Sequence, residues 1–431
     1  MYEVEFGSPN THLEMSLLHI LPLEVGVYIL EDWLDDWSAF GRLDHAYCNQ
    51  EERPRFLELM SSLTLPSSPD HDRHTYKLGV ESLRWIVSRG VKFKRLSCWS
   101  FCPPDHENAL ALMDSLFSNT GEKVTKIKIT DVPGFCVLPD DDDEADDDES
   151  DDVVWEFKHP NFLVNFWVNI VQHCPNLTHF SAHHTTGFLC VLRKCQNLIA
   201  VNVRDCASFD LQAMQELVQQ APALKELKVC RTKVCDKALE VLATKRPLLT
   251  KLHCTGCSAV TVLGVLAIVE RFDNLQELCT KHMGGSVLTK IAQYCPNFRS
   301  LRTNRKVSDA SLLALLEHCK MEVLDITHSF ITAQTFCQLR NMTKIRLGGV
   351  SDINDAALET LAKQNPRLLE LSLKGFSNIT KNGVEHLVAR CSLIKSCFLM
   401  TAEPEGNTLF TIARRNNNVE LIANEVIDLT L

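Results

Sequence analysis

The sequence contains no apolar run that approaches the roughly 20 residues needed to span a bilayer. Residues 1–10 include Glu3 and Glu5 and lack a basic segment followed by an apolar one, so no secretory signal is expected. We therefore expect a protein of the cytoplasm, the nucleus or both that does not act on membranes.

Motifs that bind phosphate groups or carry nucleophiles are also missing. Only 17 glycines occur, and none lies in a phosphate-cradling loop or a nucleophile elbow. Cys254 and Cys257, next to His253, resemble half of a zinc site, but no second pair follows at zinc-finger spacing. A second polar cluster, which lacks apolar support, consists of Asp70, His71, Asp72 and His74. The sequence thus predicts neither catalysis nor a metal or other cofactor.

Negative charge is concentrated in one segment. The net charge is −11, and residues 140–152 contain 11 acidic residues and no basic one. Removing them from the 55 acidic residues leaves 44, which equals the 44 basic residues. We interpret residues 139–153 as an acidic disordered insertion, whose simplest role is a solvated tether. The balanced remainder gives no reason to expect nucleic-acid binding.

A short phrase of alternating apolar residues recurs along the chain. Its central residue is expected at positions 180, 201, 227, 252, 278, 301, 324, 345, 371 and 396, with looser members at Ile127 and Leu96 and a last one at Val419 and Ile422. The spacing of 21 to 26 residues is typical of leucine-rich repeats, whose period is roughly 20–29 residues. Each phrase predicts a strand followed by a helix, and stacked copies would bury a continuous core. The predicted fold is an α/β solenoid with a curved parallel sheet inside and helices outside.

Cysteines stand at fixed places in this repeat. Cys174-Pro175-Asn176-Leu177 and Cys295-Pro296-Asn297-Phe298 precede strands, and Cys206 and Cys257 each follow a central residue by five positions. This pattern resembles the cysteine-containing class of leucine-rich repeats found in many ubiquitin-ligase substrate adaptors. The 18 cysteines are expected to be reduced and, in the repeats, buried.

Residues 15–63 have a different pattern, which predicts a small all-α head. Pro22 suits the first turn of a helix, and Val25, Ile29 and Trp33 form one apolar stripe. The segment resembles an F-box, a module that binds a Skp-type adaptor of a cullin–RING ubiquitin ligase. The resemblance implies adaptor-binding roles for Leu21, Pro22, Val25, Ile29 and Leu34. Alternatively, these helices only cap the open end of the solenoid.

Charged residues that follow the strand centres are mostly basic. On the concave face we expect Lys128, Arg204, Lys228, Lys281, Arg302, Asp325, Arg346 and Lys374. A concave surface with one sign of charge concentrates its potential. The hypothesis is that this face binds an acidic or phosphorylated segment of a protein partner.

The order of these segments implies a function. A head at 15–63 is followed by a linker at 64–78, irregular first repeats at 79–138, the acidic insertion at 139–153 and the solenoid at 154–431. The resemblance implies a substrate-recognition subunit of a Skp–cullin–F-box ubiquitin ligase. The alternative is a repeat scaffold or regulatory interaction protein with no link to a ligase.

Overall fold

The computed structural model describes residues 114–119, 121–130, 160–245, 248–349, 353–376, 378–401, 407–415 and 418–427, with short pieces between residues 54 and 111. The acidic insertion and all of the predicted head except residues 54 and 56–58 lie outside the described residues. The chain divides into two compact units, Met1–Val201 and Asn202–Leu431. Both units contain short parallel strands followed by helices.

Parallel strands pair in chain order in the first unit. They are β1 (Thr64–Leu65), β2 (Lys92–Phe93), β3 (Arg95–Trp99), β4 (Lys126–Thr130) and β5 (His179–Ala182). Strand β1 pairs with β2, and β3, β4 and β5 are consecutive neighbours. Their register places Leu96, Ile127 and Phe180 in one row, as the repeat predicts.

Aromatic side chains fill the core of this unit where helices α1 (Pro160–His173) and α2 (Leu189–Lys194) pack. Trp167 is fully buried, with its ring 5.7 Å from that of Phe180 and 6.3 Å from that of Phe188. Its indole Nε1 donates a hydrogen bond of 2.8 Å to the carbonyl oxygen of Thr186. The one polar atom of this large side chain is therefore satisfied, as burial requires.

A longer run of strands follows from the boundary between the units. They are β6 (Ala200–Asn202), β7 (Glu226–Lys228), β8 (Lys251–His253), β9 (Glu277–Cys279), β10 (Ser300–Arg302), β11 (Val323–Phe330), β12 (Lys344–Gly349), β13 (Glu370–Phe376) and β14 (Ser396–Thr401). Strands β7 to β14 pair in parallel and in chain order. Their central row, at most 1% exposed, is Leu227, Leu252, Leu278, Leu301, Leu324, Ile345, Leu371 and Cys397.

The last member of this row corrects the sequence prediction by one residue. The expected central position was 396, but Leu371 pairs with Cys397, and Ser396 lies opposite Glu370. The row needs an apolar side chain, and a buried thiol meets that need where a serine hydroxyl does not. The remaining predicted centres of this unit are confirmed by the strand register.

Helices cover one side of the second unit's sheet. They are α3 (Leu211–Gln220), α4 (Asp236–Lys245), α5 (Val262–Val269), α6 (Gly285–Tyr294), α7 (Asp309–His318), α8 (Ala333–Phe336), α9 (Asp355–Gln364) and α10 (Lys381–Arg390). In α3 the buried residues Ala213, Met214, Leu217 and Val218 recur at helical spacing. The predicted alternation of strand and helix is thereby confirmed.

Acidic residues at helix starts join neighbouring repeats. The Asp236 carboxylate accepts hydrogen bonds from the amide and the hydroxyl of Thr261, at 2.7 and 2.6 Å. The Asp355 carboxylate accepts the same pair from Thr380, at 2.8 and 2.6 Å. Each threonine precedes the next helix, so these bonds fix the start of one helix to the start of another.

The described cysteines are free thiols, and those at the motif positions singled out in the sequence are buried, whereas Cys190, Cys235, Cys279, Cys319 and Cys337 are half-buried. Cys174, Cys257 and Cys295 are fully buried and Cys254 is 1% exposed, and all four are free thiols. Burial raises the pKa of Cys254 and of Cys295 to about 12, so both thiols are neutral. They pack as small apolar residues.

The repeat does not continue to the end of the chain. Strand β15 (Asn407–Arg415) pairs antiparallel with β14, and β16 (Asn418–Ile427) pairs antiparallel with β15. The predicted repeat at Val419 and Ile422 is wrong, because both residues lie in the antiparallel strand β16. An apolar spacing of three residues does not fix whether a strand pairs in parallel or antiparallel.

Candidate protein-binding face

Side chains next to the central row point away from the helices, because successive residues of a strand face opposite sides of a sheet. We call the residues directly before and after each central residue of β7–β14 the open sheet face. They are Glu226, Lys228, Lys251, His253, Glu277, Cys279, Ser300, Arg302, Val323, Asp325, Lys344, Arg346, Glu370, Ser372, Ser396 and Phe398. Except for Ser300, all are half-buried or exposed.

The predicted binding residues are distributed in two rows. Those on the open sheet face are Lys228, Arg302, Asp325 and Arg346. Those three positions after a strand centre are Arg204, Lys281 and Lys374. Arg204 and Lys374 are exposed and Lys281 is half-buried. Lys128 lies on β4 of the first unit.

Three carboxylates on this face were missed. Glu226, Glu277 and Glu370 directly precede strand centres, whereas the predicted binding residues all follow them. The alternation rule already places both neighbours of a central residue on the same side, so the signal was present. The open sheet face carries five basic and four acidic residues. The expected excess of seven basic residues over one acidic residue therefore does not describe the face itself.

Arg346 is held by carboxylates on both neighbouring strands. Its guanidinium nitrogens lie 3.6 Å from the Asp325 carboxylate on β11 and 3.4 Å from that of Glu370 on β13. Lys344 also contacts Glu370, at 2.5 Å. Hydrogen bonding to Lys344, together with the charges of both cations, lowers the pKa of Glu370. The network orients the Arg346 guanidinium while leaving it about half exposed.

Glu277 is the most enclosed carboxylate of the face. Its side chain is 16% exposed, and its Oε1 lies 3.3 Å from His253 Nε2 and 3.8 Å from Arg302 Nε. The contact with His253 is the largest cause that lowers the pKa of Glu277, against the opposing effect of burial. Glu277 is thus ionised near neutral pH and offsets one neighbouring positive charge.

An aromatic residue ends the face at β14. The Lys374 ammonium group lies 5.9 Å from the centre of the Phe398 ring, within the range of a cation–π contact. Phe398 itself is half-buried. Arginine and aromatic side chains are enriched at protein interfaces, and this part of the face offers both kinds.

Other predicted sites have separate outcomes. The adaptor-binding residues lie outside the described residues: Leu21, Pro22, Val25, Ile29 and Leu34. Within the described part of the chain, no group of three or more histidine, cysteine or acidic side chains could hold a metal ion. In that same part, no helix is both long and apolar enough to cross a bilayer.

The chain was compared with known proteins. No family model and no curated protein sequence matches it. The yeast complex of Rad7 and Elc1 gives a TM-score of 0.46 at 13% identity, covering 88% of this chain and 96% of that one. An internalin (InlF) of Listeria monocytogenes gives 0.36 at 12% identity, covering 81% and 84%. A TLR13–ssRNA13 complex gives 0.33 at 13% identity, covering 81% and 45%.

The fold itself defines the class of the protein. Parallel strands in register, a central row of leucine and isoleucine with a period of about two dozen residues, and a helix after most strands make it a leucine-rich-repeat solenoid. Its candidate site is the open sheet face.

Proposed function

We propose that the protein is a recognition subunit whose open sheet face binds a protein partner. One observation carries this proposal: half-buried and exposed charged side chains line one side of a sheet whose other side is packed with helices. Short parallel strands with buried centres hold these side chains at fixed spacing. Preorganised side chains lose little conformational entropy on binding, which favours recognition of another surface.

The ion pairs of the face suit such a role. Arg346 is oriented by Asp325 and Glu370, yet its guanidinium remains about half exposed. An oriented arginine keeps donors free for a partner's carboxylate or carbonyl groups. The mixture of charges also favours a specific partner, because a mismatched surface would place like charges together.

We further propose that the N-terminal helices bind a Skp-type adaptor, so that the partner held by the repeats becomes a ubiquitin-ligase substrate. The F-box resemblance of Leu21, Pro22, Val25, Ile29 and Leu34 supports this part, as does their place directly before the repeats. The apolar stripe of that helix would be the contact surface.

Adaptor binding is tested with the purified full-length protein and a purified Skp-type adaptor. We expect the two to co-elute in size-exclusion chromatography, and the V25A/I29A variant to lose the complex. The R302E/R346E variant is the matched control, because it changes the open sheet face and should retain the adaptor. If the wild type does not co-elute with the adaptor and V25A/I29A behaves in the same way, the ligase role is refuted. Loss of partner binding in R302E/R346E would then leave a repeat scaffold as the function.

A further inference from the structure

Four basic side chains gather where strands β7 to β10 end, and only one of them, Arg302, contacts a carboxylate among the described residues. We call Lys228, Lys281, Arg302 and Arg305 the basic strand ends. Lys228 and Arg302 close their strands, and Lys281 and Arg305 stand in the loops that follow β9 and β10. Arg302 and Arg305 are exposed, and Lys228 and Lys281 are half-buried.

The strand register brings these residues together. Lys228 pairs with His253, and His253 pairs with Cys279. Because Leu301 pairs with Leu278, Arg302 is next in this row. Neighbouring strands lie about 4.8 Å apart, so Lys228 and Arg302 are separated by about 14 Å along the row. Arg305 Nε donates a hydrogen bond of 3.0 Å to the Lys281 carbonyl oxygen, which places Arg305 beside Lys281.

Nearby carboxylates are already engaged with other groups. Glu277 contacts His253 and Arg302, and Glu226 contacts Lys251 at 2.8 Å. Within the described residues, no carboxylate forms an ion pair with Lys228, Lys281 or Arg305. Both engaged glutamates precede their strand centres, whereas the unpaired cations follow theirs. A positive strip therefore runs across the strand ends.

We propose that the basic strand ends bind an acidic segment of the protein partner, in extended conformation, through its carboxylate or phosphate groups. The inference rests on the proposed function and adds the chemistry of the partner. An extended chain advances about 3.4 Å per residue, so the strip spans about four residues. Arginine guanidinium groups bind such oxyanions through paired hydrogen bonds, which gives Arg302 and Arg305 a directional role.

The same surface fits a nucleic acid poorly. Glu226 and Glu277 lie one row away and would repel a phosphate backbone that continued across the sheet. On the described face of β7–β10 no phenylalanine, tyrosine or tryptophan is available for base stacking. A short peptide with few charges meets neither obstacle.

The test measures binding of labelled octapeptides to the full-length protein by fluorescence anisotropy. One peptide carries four glutamates, a second carries four phosphoserines at the same positions, and a third carries glutamines there. A single-stranded RNA dodecamer is the probe for the other class of ligand. We expect at least one acidic peptide to bind more tightly than the neutral one, and its affinity to fall as NaCl rises. The two acidic arms distinguish carboxylate from phosphate recognition.

The decisive variant is K228E/K281E/R305E, which reverses three unpaired cations and leaves Arg302 with Glu277. We expect it to weaken acidic-peptide binding by about tenfold or more. Its control is K237E/K245E/R271E, the same change of charge at exposed positions on and after the helices, with an expected effect within about twofold. Far-UV circular dichroism verifies that the variants are folded. If the triple variant unfolds, the single variants K281Q and R305Q replace it, and each is expected to lose part of the acidic-peptide affinity.

Several results would overturn the inference. Equal binding of acidic and neutral peptides, equal losses in both triple variants, or RNA binding that exceeds peptide binding and disappears in K228E/K281E/R305E would each do so. Adaptor recovery separates this inference from the proposed function. Failed peptide binding with intact adaptor recovery refutes the inference alone, and the reverse result refutes the ligase role alone.

Discussion

Replacing Asn365 by alanine is expected to destabilise the repeat before it as well as its own. Asn365 follows helix α9 at the position that Cys195, Cys295, Cys319 and Cys391 occupy after other helices. It is fully buried. A polar amide at a site otherwise filled by thiols must find hydrogen-bond partners, because an unpaired buried amide is costly.

Those partners belong largely to the preceding repeat. Asn365 Nδ2 donates to the carbonyl oxygens of Leu339 and Leu361, at 2.9 and 2.7 Å, and Oδ1 accepts from the Met342 amide at 2.8 Å. Helix α8 is only four residues long, and the chain then runs through an irregular stretch to β12. Asn365 thus satisfies backbone groups that a longer helix would have paired within its own turns.

The N365A variant removes all three bonds and orphans buried backbone groups. Each unsatisfied buried group costs about 1–3 kcal/mol, so we expect the free energy of unfolding to fall by about 3–5 kcal/mol. That is at the upper end for a single substitution. C391A serves as the matched control, since the Cys391 thiol donates only a weak 3.6 Å hydrogen bond to the Asn365 carbonyl oxygen. Its loss should cost less than about 2 kcal/mol.

Urea unfolding followed by circular dichroism measures the total effect, and amide hydrogen exchange locates it. The Met342 amide should exchange faster in N365A than in wild type, because its acceptor is gone. Tryptophan fluorescence reports on the first unit alone, because all six tryptophans precede residue 202. It therefore serves as the internal reference for a substitution in the second unit. A free energy within about 1 kcal/mol of wild type, or unchanged Met342 exchange, would refute the reasoning.

Two further predictions concern helix starts and thiols. Alanine at Gly383 would collide with the Asp355 carboxylate that Thr380 holds, so G383A should lower the free energy of unfolding by about 1–3 kcal/mol. Helix propensity alone predicts that G383A stabilises the protein by about 1 kcal/mol, and that result would contradict the prediction. The folded-state pKa of Cys254 and Cys295 is raised to about 12, so their contribution to stability is complete below the unfolded value of roughly 8.5 and is lost progressively as pH rises from there toward the folded value. The urea midpoint of the wild type should therefore fall as pH rises above about 9, and the midpoint of C254A should fall less steeply. Equal slopes of midpoint against pH in the two proteins would contradict the assignment.

Much of the fold followed from the repeat pattern alone. Leucine or isoleucine at a fixed place in each phrase predicted the central row, because only one side of a short strand can be buried under a helix. Buried cysteines followed from the same register. The expected centre at 396 was wrong because Ser396 and Cys397 are both small, and counting an average period does not distinguish them.

Features that depend on neighbouring repeats were not predictable in this way. Asn365 has a structural role only because helix α8 is short, and the length of that helix is not evident from the apolar spacing. The antiparallel hairpin of β15 and β16 likewise depends on which edge of the sheet the chain returns to. The balance of charge on the open sheet face was predictable in principle, since Glu226, Glu277 and Glu370 obey the same alternation as Lys228.

The position of charge along each strand determines how a partner can lie on this face. Glu226, Glu277 and Glu370 precede their strand centres, whereas Lys228, Arg302 and Arg346 follow theirs. Because all eight strands run in the same direction, like positions fall at the same end, and an antiparallel sheet would have alternated them. The positions before the centres hold three acidic and two basic residues, and those after them hold three basic residues and one acidic residue, so the strand ends are the more basic side of the face. An acidic segment of a partner is accommodated where it crosses the strand ends. An acidic segment that ran parallel to a strand would be repelled by the glutamates at the start of that strand.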